Sequence, residues 1–169
     1  PGTGLRSYYY DPAGDLRTDL TPEAIRAAAA EPHGLLWIDI NADGRDAGEP
    51  ILRDIFSFHP LTIDDCYNTI IDPPKVDDYG TYLFVIVHDI HYHDEQHLLS
   101  TGELNLYIGQ NYIVSVHRAP VHAVEDVRRR ADAHSGHPGH VRRDHVHRHA
   151  ADQRRALAFD QQRRARRGT

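Results

Sequence analysis

The chain has 169 residues, a formal net charge of −6, one cysteine and no methionine. Because Cys66 has no second cysteine to pair with, an internal disulfide framework of the kind found in small secreted domains is excluded. No apolar run approaches the roughly 20 residues that a membrane-spanning helix needs, so we expect the chain as given to be soluble. Its length suffices for one domain with a sizeable core.

Charge is distributed unevenly along the chain. Residues 1–127 contain 7 basic and 21 acidic side chains, a net of −14, whereas residues 128–169 contain 12 arginines and 4 aspartates, a net of +8. The acidic body favours cations and opposes binding to nucleic acid or to an anionic membrane surface. The basic end could contact nucleic acid or anionic lipid. We prefer to interpret it as a solvated, non-specific segment, and we expect no nucleic-acid partner.

The first predicted elements alternate between strand and helix. Residues 4–10 are typical of a strand, and residues 20–34 predict a helix with Thr21 as its N-cap and a proline at its first position. Residues 35–40 form a short apolar run that indicates a strand buried on both faces. The polar residues 41–50 are interpreted as a loop.

Two helices and an extended segment are predicted next. Residues 51–58 carry apolar side chains at helical spacing, and a short helix begins at Pro60. The two prolines at 73–74 favour an extended chain, because each disfavours the helical conformation for the residue before it. The apolar residues 83–87 predict a central, fully buried strand.

The remaining body predicts a hairpin and a last helix. Residues 103–118 alternate between apolar and polar side chains on either side of a Gly-Gln-Asn turn, which is typical of a β-hairpin. Residues 120–133 place valines on one helical stripe. Strands and helices in this order predict an α/β fold, with a mixed sheet on which helices pack.

Composition changes near residue 131. Residues 1–130 contain the predicted elements, whereas residues 131–169 are rich in histidine and arginine and hold few large apolar side chains. Such a segment buries too little apolar surface to offset its ordering entropy. We therefore predict one domain over residues 1–130 and a disordered or weakly helical C-terminal tail over residues 131–169.

The 14 histidines of the chain raise the question of a metal site. On a strand, His91 and His93 would point to the same face and form a usable pair for zinc. The alternative, which we favour, is a strand end that emerges into a solvated turn. Histidines of the tail could chelate metal adventitiously, with weak and unselective binding.

Two adjacent aspartates, Asp64 and Asp65, lie near the end of the short helix that begins at Pro60. The C-terminal end of a helix carries negative partial charge, so each carboxylate there costs roughly a few tenths of a kcal/mol. Adjacent helical residues diverge by about 100°, so the pair cannot easily share one cation alone. Mg²⁺ with retained waters and ligands from a second surface would fit such an open site. A solvated acidic helix face is the alternative.

Several motifs together resemble the N-terminal cytoplasmic domain of the CorA family of magnesium transporters. They are GLLWIDI at 34–40, FSFHPLTIDDCYN at 56–68, PPKVDDYGTYLFVIV at 73–87, ELNLYIGQNYIVSVHR at 103–118 and VEDVRRR at 124–130. The resemblance extends over residues 5–130, and the order of the motifs makes it specific.

This resemblance implies an αβα fold, in which a mixed sheet lies between helical layers, and a regulatory role. In the family this domain lies on the cytoplasmic face of the cell membrane below a homopentameric channel. Mg²⁺ bound between neighbouring domains holds that channel closed. Carried over residue by residue, the family's acidic pair falls on Asp64 and Asp65. The resemblance therefore implies that they are regulatory, intersubunit ligands that bind Mg²⁺, or other divalent cations, weakly.

Other parts of the family pattern are missing. The family continues into a long stalk helix and two membrane helices with a Gly-Met-Asn signature, whereas this chain has no methionine and no membrane span. We expect it to lack the pore, to reach a membrane only through the missing C-terminal part, and to form a weak homo-oligomer or none.

The sequence leaves three alternatives to a regulatory transporter domain. One is a free-standing divalent-cation-binding module, and another is a zinc-handling relative of the same family. A hydrolase that uses Asp64 or Asp65 with a metal is disfavoured, because no nucleophile, phosphate-binding loop or second carboxylate cluster accompanies the pair. We therefore expect the chain not to be an enzyme.

Overall fold

The computed structural model describes residues 4–43, 45–94 and 97–135. Within these ranges seven strands form one sheet: β1 (Leu5–Tyr10), β2 (Leu16–Thr18), β3 (Leu35–Asn41), β4 (Lys75–Asp78), β5 (Leu83–His93), β6 (Leu98–Ile108) and β7 (Tyr112–His117). The strand order is β2-β1-β3-β7-β6-β5-β4. Only β3 and β7 are parallel neighbours, and the other adjacent strands are antiparallel. The predicted mixed sheet and the β6–β7 hairpin are confirmed.

The same ranges contain four α-helices and one π-helical segment: α1 (Pro22–Ala30), α2 (Arg45–Pro50), the π-helical segment (Ile51–Ile55), α3 (Pro60–Tyr67) and α4 (His122–Ser135). α1 begins where the sequence predicts it, because Thr21 Oγ1 accepts a hydrogen bond from Ala24 N at 3.3 Å and Pro22 occupies the first turn. Its Ile25 and Ala28 are buried in the core.

Helices cover both faces of the sheet. α1, the π-helical segment and α3 pack on the face that presents Leu36 and Ile38 of β3. Trp37 alternates with these residues along β3 and lies on the opposite face. There it packs against a smaller cluster that includes Leu104 of β6 and Val124 of α4. This arrangement confirms the predicted αβα fold class.

An aromatic cluster fixes α3 against the sheet. Phe58 stacks on Tyr107 of β6 with ring centroids 3.9 Å apart and contacts Tyr82 at 4.6 Å. The Tyr107 hydroxyl donates to Thr62 Oγ1 at 3.2 Å and contacts Cys66 Sγ at 3.3 Å. Because Thr62 and Cys66 belong to α3, these contacts determine which side of that helix faces solvent.

Residues 41–50 do not form the polar loop that their composition predicts. Arg45–Pro50 are helical, and Gly48 lies against the sheet. A Cβ at Gly48 would lie 2.6 Å from Ile40 Cγ2 and 2.5 Å from Tyr67 Oη, so only glycine permits this close approach. The prediction failed because these contacts are tertiary and leave no periodic signal in a short polar stretch.

The prediction of a central, fully buried strand at residues 83–87 is also wrong. β5 lies one strand in from the end of the sheet, next to the edge strand β4. Phe84 and Ile86 are 0% and 1% exposed, whereas Leu83 and Val87 on the other face are 36% and 37% exposed. An unbroken apolar run cannot distinguish burial on two faces from burial on one.

α4 continues past the boundary predicted at residue 130. It ends at Ser135, and the Tyr8 hydroxyl of β1 donates to Asp132 Oδ1 at 3.1 Å. Residues 131–135 are therefore helical and joined to the sheet. The rest of the predicted tail, residues 136–169, lies outside the described residues. Within the described ranges no helix combines the length and the apolar character needed to cross a membrane.

Candidate cation-binding site

The packing of α3 directs the acidic pair toward solvent. The buried side chains of this helix are those of Thr62, Ile63, Cys66 and Tyr67. Helical periodicity then places Asp64 on the solvent side of α3 and Asp65, which is partly buried, beside the edge of the sheet. The C-cap of α3 is Asn68, so both carboxylates lie in the last turns of the helix, as the sequence predicts.

The start of α3 is anchored by its N-cap residue, His59. The Nδ1 atom of His59 accepts a hydrogen bond from Leu61 N at 3.3 Å, and its backbone N–H donates to the Tyr82 hydroxyl at 3.0 Å. One end of the helix is thereby fixed to the aromatic cluster, while the acidic end remains at the surface.

Each aspartate of the pair has its own basic partner. Arg45 of α2 lies 3.5 Å from Asp64 Oδ1, and Lys75 Nζ of β4 lies 3.0 Å from Asp65 Oδ2. Lys75 Nζ also lies 3.4 Å from Asp77 Oδ2, and its pKa is raised chiefly by the hydrogen bond to Asp65. The Asp64 side chain is 68% exposed and that of Asp65 is 29% exposed. These partners could not be predicted from the sequence, because pairing the helix with α2 and β4 requires the tertiary fold.

One chain offers few protein ligands at this position. No group of three or more histidine, cysteine, aspartate or glutamate side chains with metal-binding geometry occurs in the described part of the chain. A cation at Asp64 and Asp65 would have to take its remaining ligands from water or from another surface. The sequence interpretation makes the same requirement of water or a second surface.

The alternative metal pair, His91 and His93, lies on β5. In the β5–β6 register the two residues are opposite Ser100 and Leu98 of β6. The structure does not describe their side chains. The predicted zinc pair stays a prediction.

Exposed apolar side chains occur on the helix that carries the acidic pair and on the loop that follows it. Leu61 of α3 and Ile70 and Ile71 of the loop are each more than half exposed. We call these three residues the α3–β4 patch. Exposed apolar groups grouped at a surface are typical of contacts with another protein surface. In the sequence, the apolar pair at 70–71, between the helix end and two prolines, is the feature that indicates this exposed surface.

A buried polar network on the opposite face of the sheet was also missed. Asp39 Oδ1 accepts hydrogen bonds from Ser115 Oγ at 2.7 Å and from His117 Nε2 at 3.1 Å. His117 Nδ1 lies 2.9 Å from the Ala119 carbonyl oxygen, and Arg128 of α4 lies 3.8 Å from Asp39 Oδ2. Burial alone lowers the pKa of His117, but the hydrogen bond and charge of Asp39, together with the Ala119 carbonyl, raise it overall. In the sequence, the one feature that indicates this buried network is Asp39, a charged residue within the otherwise apolar run 35–40.

This network does not have the geometry of a hydrolytic triad. Ser115 Oγ donates to Asp39 and accepts from Trp37 Nε1 at 3.0 Å, so its contacts do not include a histidine base. Asp39 and His117 are instead structural partners that join β3 to β7.

Comparisons with known proteins agree with this architecture. Residues 32–143 match the family of CorA-like Mg²⁺ transporter proteins. The protein YfjQ of Bacillus subtilis (strain 168), named as a candidate metal ion transporter, is 31% identical over 109 residues, which are 62% of this chain and 32% of that protein.

Two solved structures have the same fold. The full-length CmaX protein superposes with a TM-score of 0.63 at 19% identity, covering 80% of this chain and 41% of that chain. The soluble domain of CorA from Methanocaldococcus jannaschii superposes with a TM-score of 0.55 at 14% identity, covering 78% of this chain and 47% of that chain. The chain spans less than half the length of each of these three relatives. The resemblance predicted from the motifs is confirmed.

Proposed function

Since the chain belongs to the family of CorA-like Mg²⁺ transporter proteins, we propose that it is a cation-sensing regulatory domain of a divalent metal ion transporter. In this role it would act at the cytoplasmic face of the membrane, and its activity would be binding rather than catalysis. Asp64 and Asp65 would provide carboxylate ligands to Mg²⁺ at a contact between two copies of the domain.

The observation that carries this proposal is the position of the acidic pair. Asp64 is exposed on the solvent side of α3, Asp65 beside it is 29% exposed, and Leu61 of the α3–β4 patch is exposed one turn earlier on the same helix. Carboxylates with few neighbouring protein ligands suit Mg²⁺, which keeps several waters. Apolar groups beside them supply buried area when a second surface approaches. A shared cation and a shared apolar contact would thus form together.

The basic partners explain how the surface exists without a cation. Arg45 and Lys75 offset the carboxylate charges that the end of the helix would otherwise disfavour. A cation that binds Asp65 must compete with the Lys75 ammonium group for the same oxygen. Competition of this kind makes binding to a single chain weak and makes a second surface necessary, which is the behaviour expected of a sensor.

The test is Mg²⁺-dependent self-association, measured by sedimentation velocity at constant ionic strength. The wild-type chain should sediment faster as Mg²⁺ is added, and Asp64→Asn combined with Asp65→Asn should abolish that increase. The matched control combines Asp46→Asn with Asp54→Asn, which removes two exposed aspartates from the α2 and π-helical segments.

The control variant should associate like the wild type. If the Asp64-Asp65 variant also associates like the wild type, the acidic pair is a solvated helix face. If Mg²⁺ does not change sedimentation in any variant, the isolated chain does not sense the cation through self-association, and the proposal is wrong for this chain.

A further inference from the structure

A large cavity lies between α4 and the sheet face that this helix covers. Its volume is about 480 Å³, within the range of roughly 300 to 1,000 Å³ that is typical of small-molecule sites. Alternate residues of four neighbouring strands line it, among them Tyr8 of β1, Trp37 of β3 and Leu106 of β6. Val124 and Val127 of α4 line it from the other side. The cavity is therefore on the face of the sheet opposite α3 and its acidic pair.

The lining of this cavity is apolar and partly open to solvent. Leu35, Ile113 and Val127 are 43%, 38% and 50% exposed, so their side chains are incompletely covered. Tyr8 stacks on Trp37 with ring centroids 4.9 Å apart, which adds an aromatic surface. A ligand with an apolar chain would remove these groups from water, and that removal favours binding.

Most polar side chains around the cavity already have partners within the chain. Trp37 Nε1 donates to Ser115 Oγ at 3.0 Å, and the Tyr8 hydroxyl donates to Asp132 Oδ1 at 3.1 Å. His134 Nδ1 lies 2.6 Å from a backbone carbonyl oxygen of α4. These groups need no polar partner from a ligand, so they do not oppose an apolar one.

The cavity has an aliphatic end and a charged end. Near the start of α4, Val124 packs with Leu104 of β6. Near the end of the helix, Asp132 accepts the hydrogen bond from Tyr8 of β1, and Arg130 lines the cavity two residues before it. The cavity therefore runs from aliphatic side chains at β6 to a guanidinium group at the β1 side.

Arg130 has no acidic partner at this charged end. Among the residues that the structure describes, no ion pair and no side-chain hydrogen bond involves its guanidinium group. Asp132 is bonded to Tyr8, lies 3.9 Å from Arg6 and is not one of the residues that line the cavity. A guanidinium group suits a carboxylate, which it binds through two parallel hydrogen bonds. The charge at this end thus favours an anionic group.

We propose that this cavity binds a fatty acid with a single alkyl chain, whose carboxylate pairs with Arg130. The alkyl chain would lie against Trp37 and Leu106, and its other end would reach the aliphatic side chains at β6. A bound fatty acid would contact both α4 and the sheet, so it would stabilise the packing of the helix. This site is separate from the proposed cation site and does not depend on it.

The test is a titration of tryptophan fluorescence with decanoate, kept below the concentration at which it forms micelles. Trp37 is the single tryptophan of the chain and lines the cavity, so its emission reports occupancy directly. Divalent cations are left out, and about pH 8 keeps the ligand ionised and the histidines neutral. Decanoate should shift the emission to shorter wavelength and saturate, because the alkyl chain displaces water from the indole ring.

Arg130→Gln tests recognition of the carboxylate. Its affinity for decanoate should be about fivefold lower, the upper range for one exposed charge pair, while its affinity for uncharged decan-1-ol should not change. The matched control is Arg129→Gln, which removes the same charge from the next residue. Arg129 is exposed, pairs with Asp126 and does not line the cavity. The control should bind both ligands like the wild type.

Val127→Glu tests the cavity itself. Val127 is half exposed and glutamate is a good helix former, so the domain should fold. A carboxylate placed at this wall should abolish the binding of both decanoate and decan-1-ol, because it puts a charge where the alkyl chain lies.

Three outcomes would overturn the fatty-acid site. The first is a wild-type emission that does not saturate with decanoate, and the second is an equal loss of affinity in Arg129→Gln and Arg130→Gln. The third is an emission that changes with protein concentration and not with ligand, which would mean that a second copy of the chain covers the cavity. Each of these results leaves the Mg²⁺ proposal standing, since neither Mg²⁺ nor the acidic pair takes part in the test.

Discussion

Lys75 Nζ lies 3.0 Å from Asp65 Oδ2 and joins the edge strand β4 to the last turn of α3. The pair shows how the helix carries a carboxylate at its negative end without a bound cation. It also makes Lys75 a direct competitor of any metal ion that approaches Asp65. Removing Lys75 should therefore make the acidic surface more negative and leave the Asp65 carboxylate free to bind a metal ion.

Replacing Lys75 by Gln should make the acidic surface more sensitive to Mg²⁺. The side chains of Lys75 and Asp65 are 36% and 29% exposed, so the loss of this surface pair should cost less than about 1 kcal/mol of stability. Self-association should then begin at a lower Mg²⁺ concentration, because the cation no longer displaces an ammonium group. Arg53→Gln, which removes an exposed positive charge elsewhere, is the control. An equal shift in both variants would show that only net charge matters.

The alternation along β5 predicts opposite results for two neighbouring substitutions. Ile86→Asp places a carboxylate at a position that is 1% exposed and should destabilise the domain by several kcal/mol, on the order of its whole stability. Val87→Asp, at a position 37% exposed, should cost about 1 kcal/mol or less. Urea unfolding of the two variants measures the difference. Similar losses would show that both faces of β5 are buried.

Stability should depend on pH through His117. Folding raises its pKa above the value of about 6.5 found in unfolded chains, so the stabilisation is fully present below that value and is lost as pH rises through the folded-state pKa. The Asp39 carboxylate and the Arg128 guanidinium are the charged groups that contribute to this shift, one raising and the other lowering the pKa.

The measurement is the free energy of unfolding in urea between about pH 6 and pH 9, where an ordinary histidine loses its proton. His117→Gln keeps a donor for Asp39 but does not titrate, so its stability should decline less over this range. His33→Gln, at an exposed position, should follow the wild type. A wild-type slope that persists in His117→Gln would assign the pH dependence to other groups.

The thiol of Cys66 should be unreactive in the folded chain. It is 5% exposed, and burial raises its pKa to about 12, so very little thiolate is present near neutral pH. A disulfide reagent should label Cys66 at the rate of unfolding and should label an added cysteine at the exposed position Ile71 at once. Fast labelling of Cys66 in the wild type would contradict the packing of α3 against the sheet.

Most of the fold could be predicted because local signals and tertiary structure agree. The N-cap at Thr21, the proline at the start of α3 and the turn between β6 and β7 all specify backbone geometry within a few residues. The three-residue strand β2 was missed, since Leu16–Thr18 is too short to show alternation. α2 was missed because its buried face depends on Gly48 and its distant contacts.

The candidate site could be predicted only in part. The position of Asp64 and Asp65 at the end of a helix follows from sequence, since the proline and the C-cap bound that helix. Their partners Arg45 and Lys75 belong to α2 and β4, and no local rule brings these elements together.

The central claim is that Asp64 and Asp65 bind Mg²⁺ between two chains. The most direct test measures the apparent Mg²⁺ affinity of the wild type and of the Asp64→Asn, Asp65→Asn variant, each at a low and at a high protein concentration. The quantity compared is the difference in affinity between the two proteins. A cation shared between chains links binding to association, so the difference should grow as protein concentration rises. A difference that is the same at both concentrations, or that is absent at both, would contradict the claim.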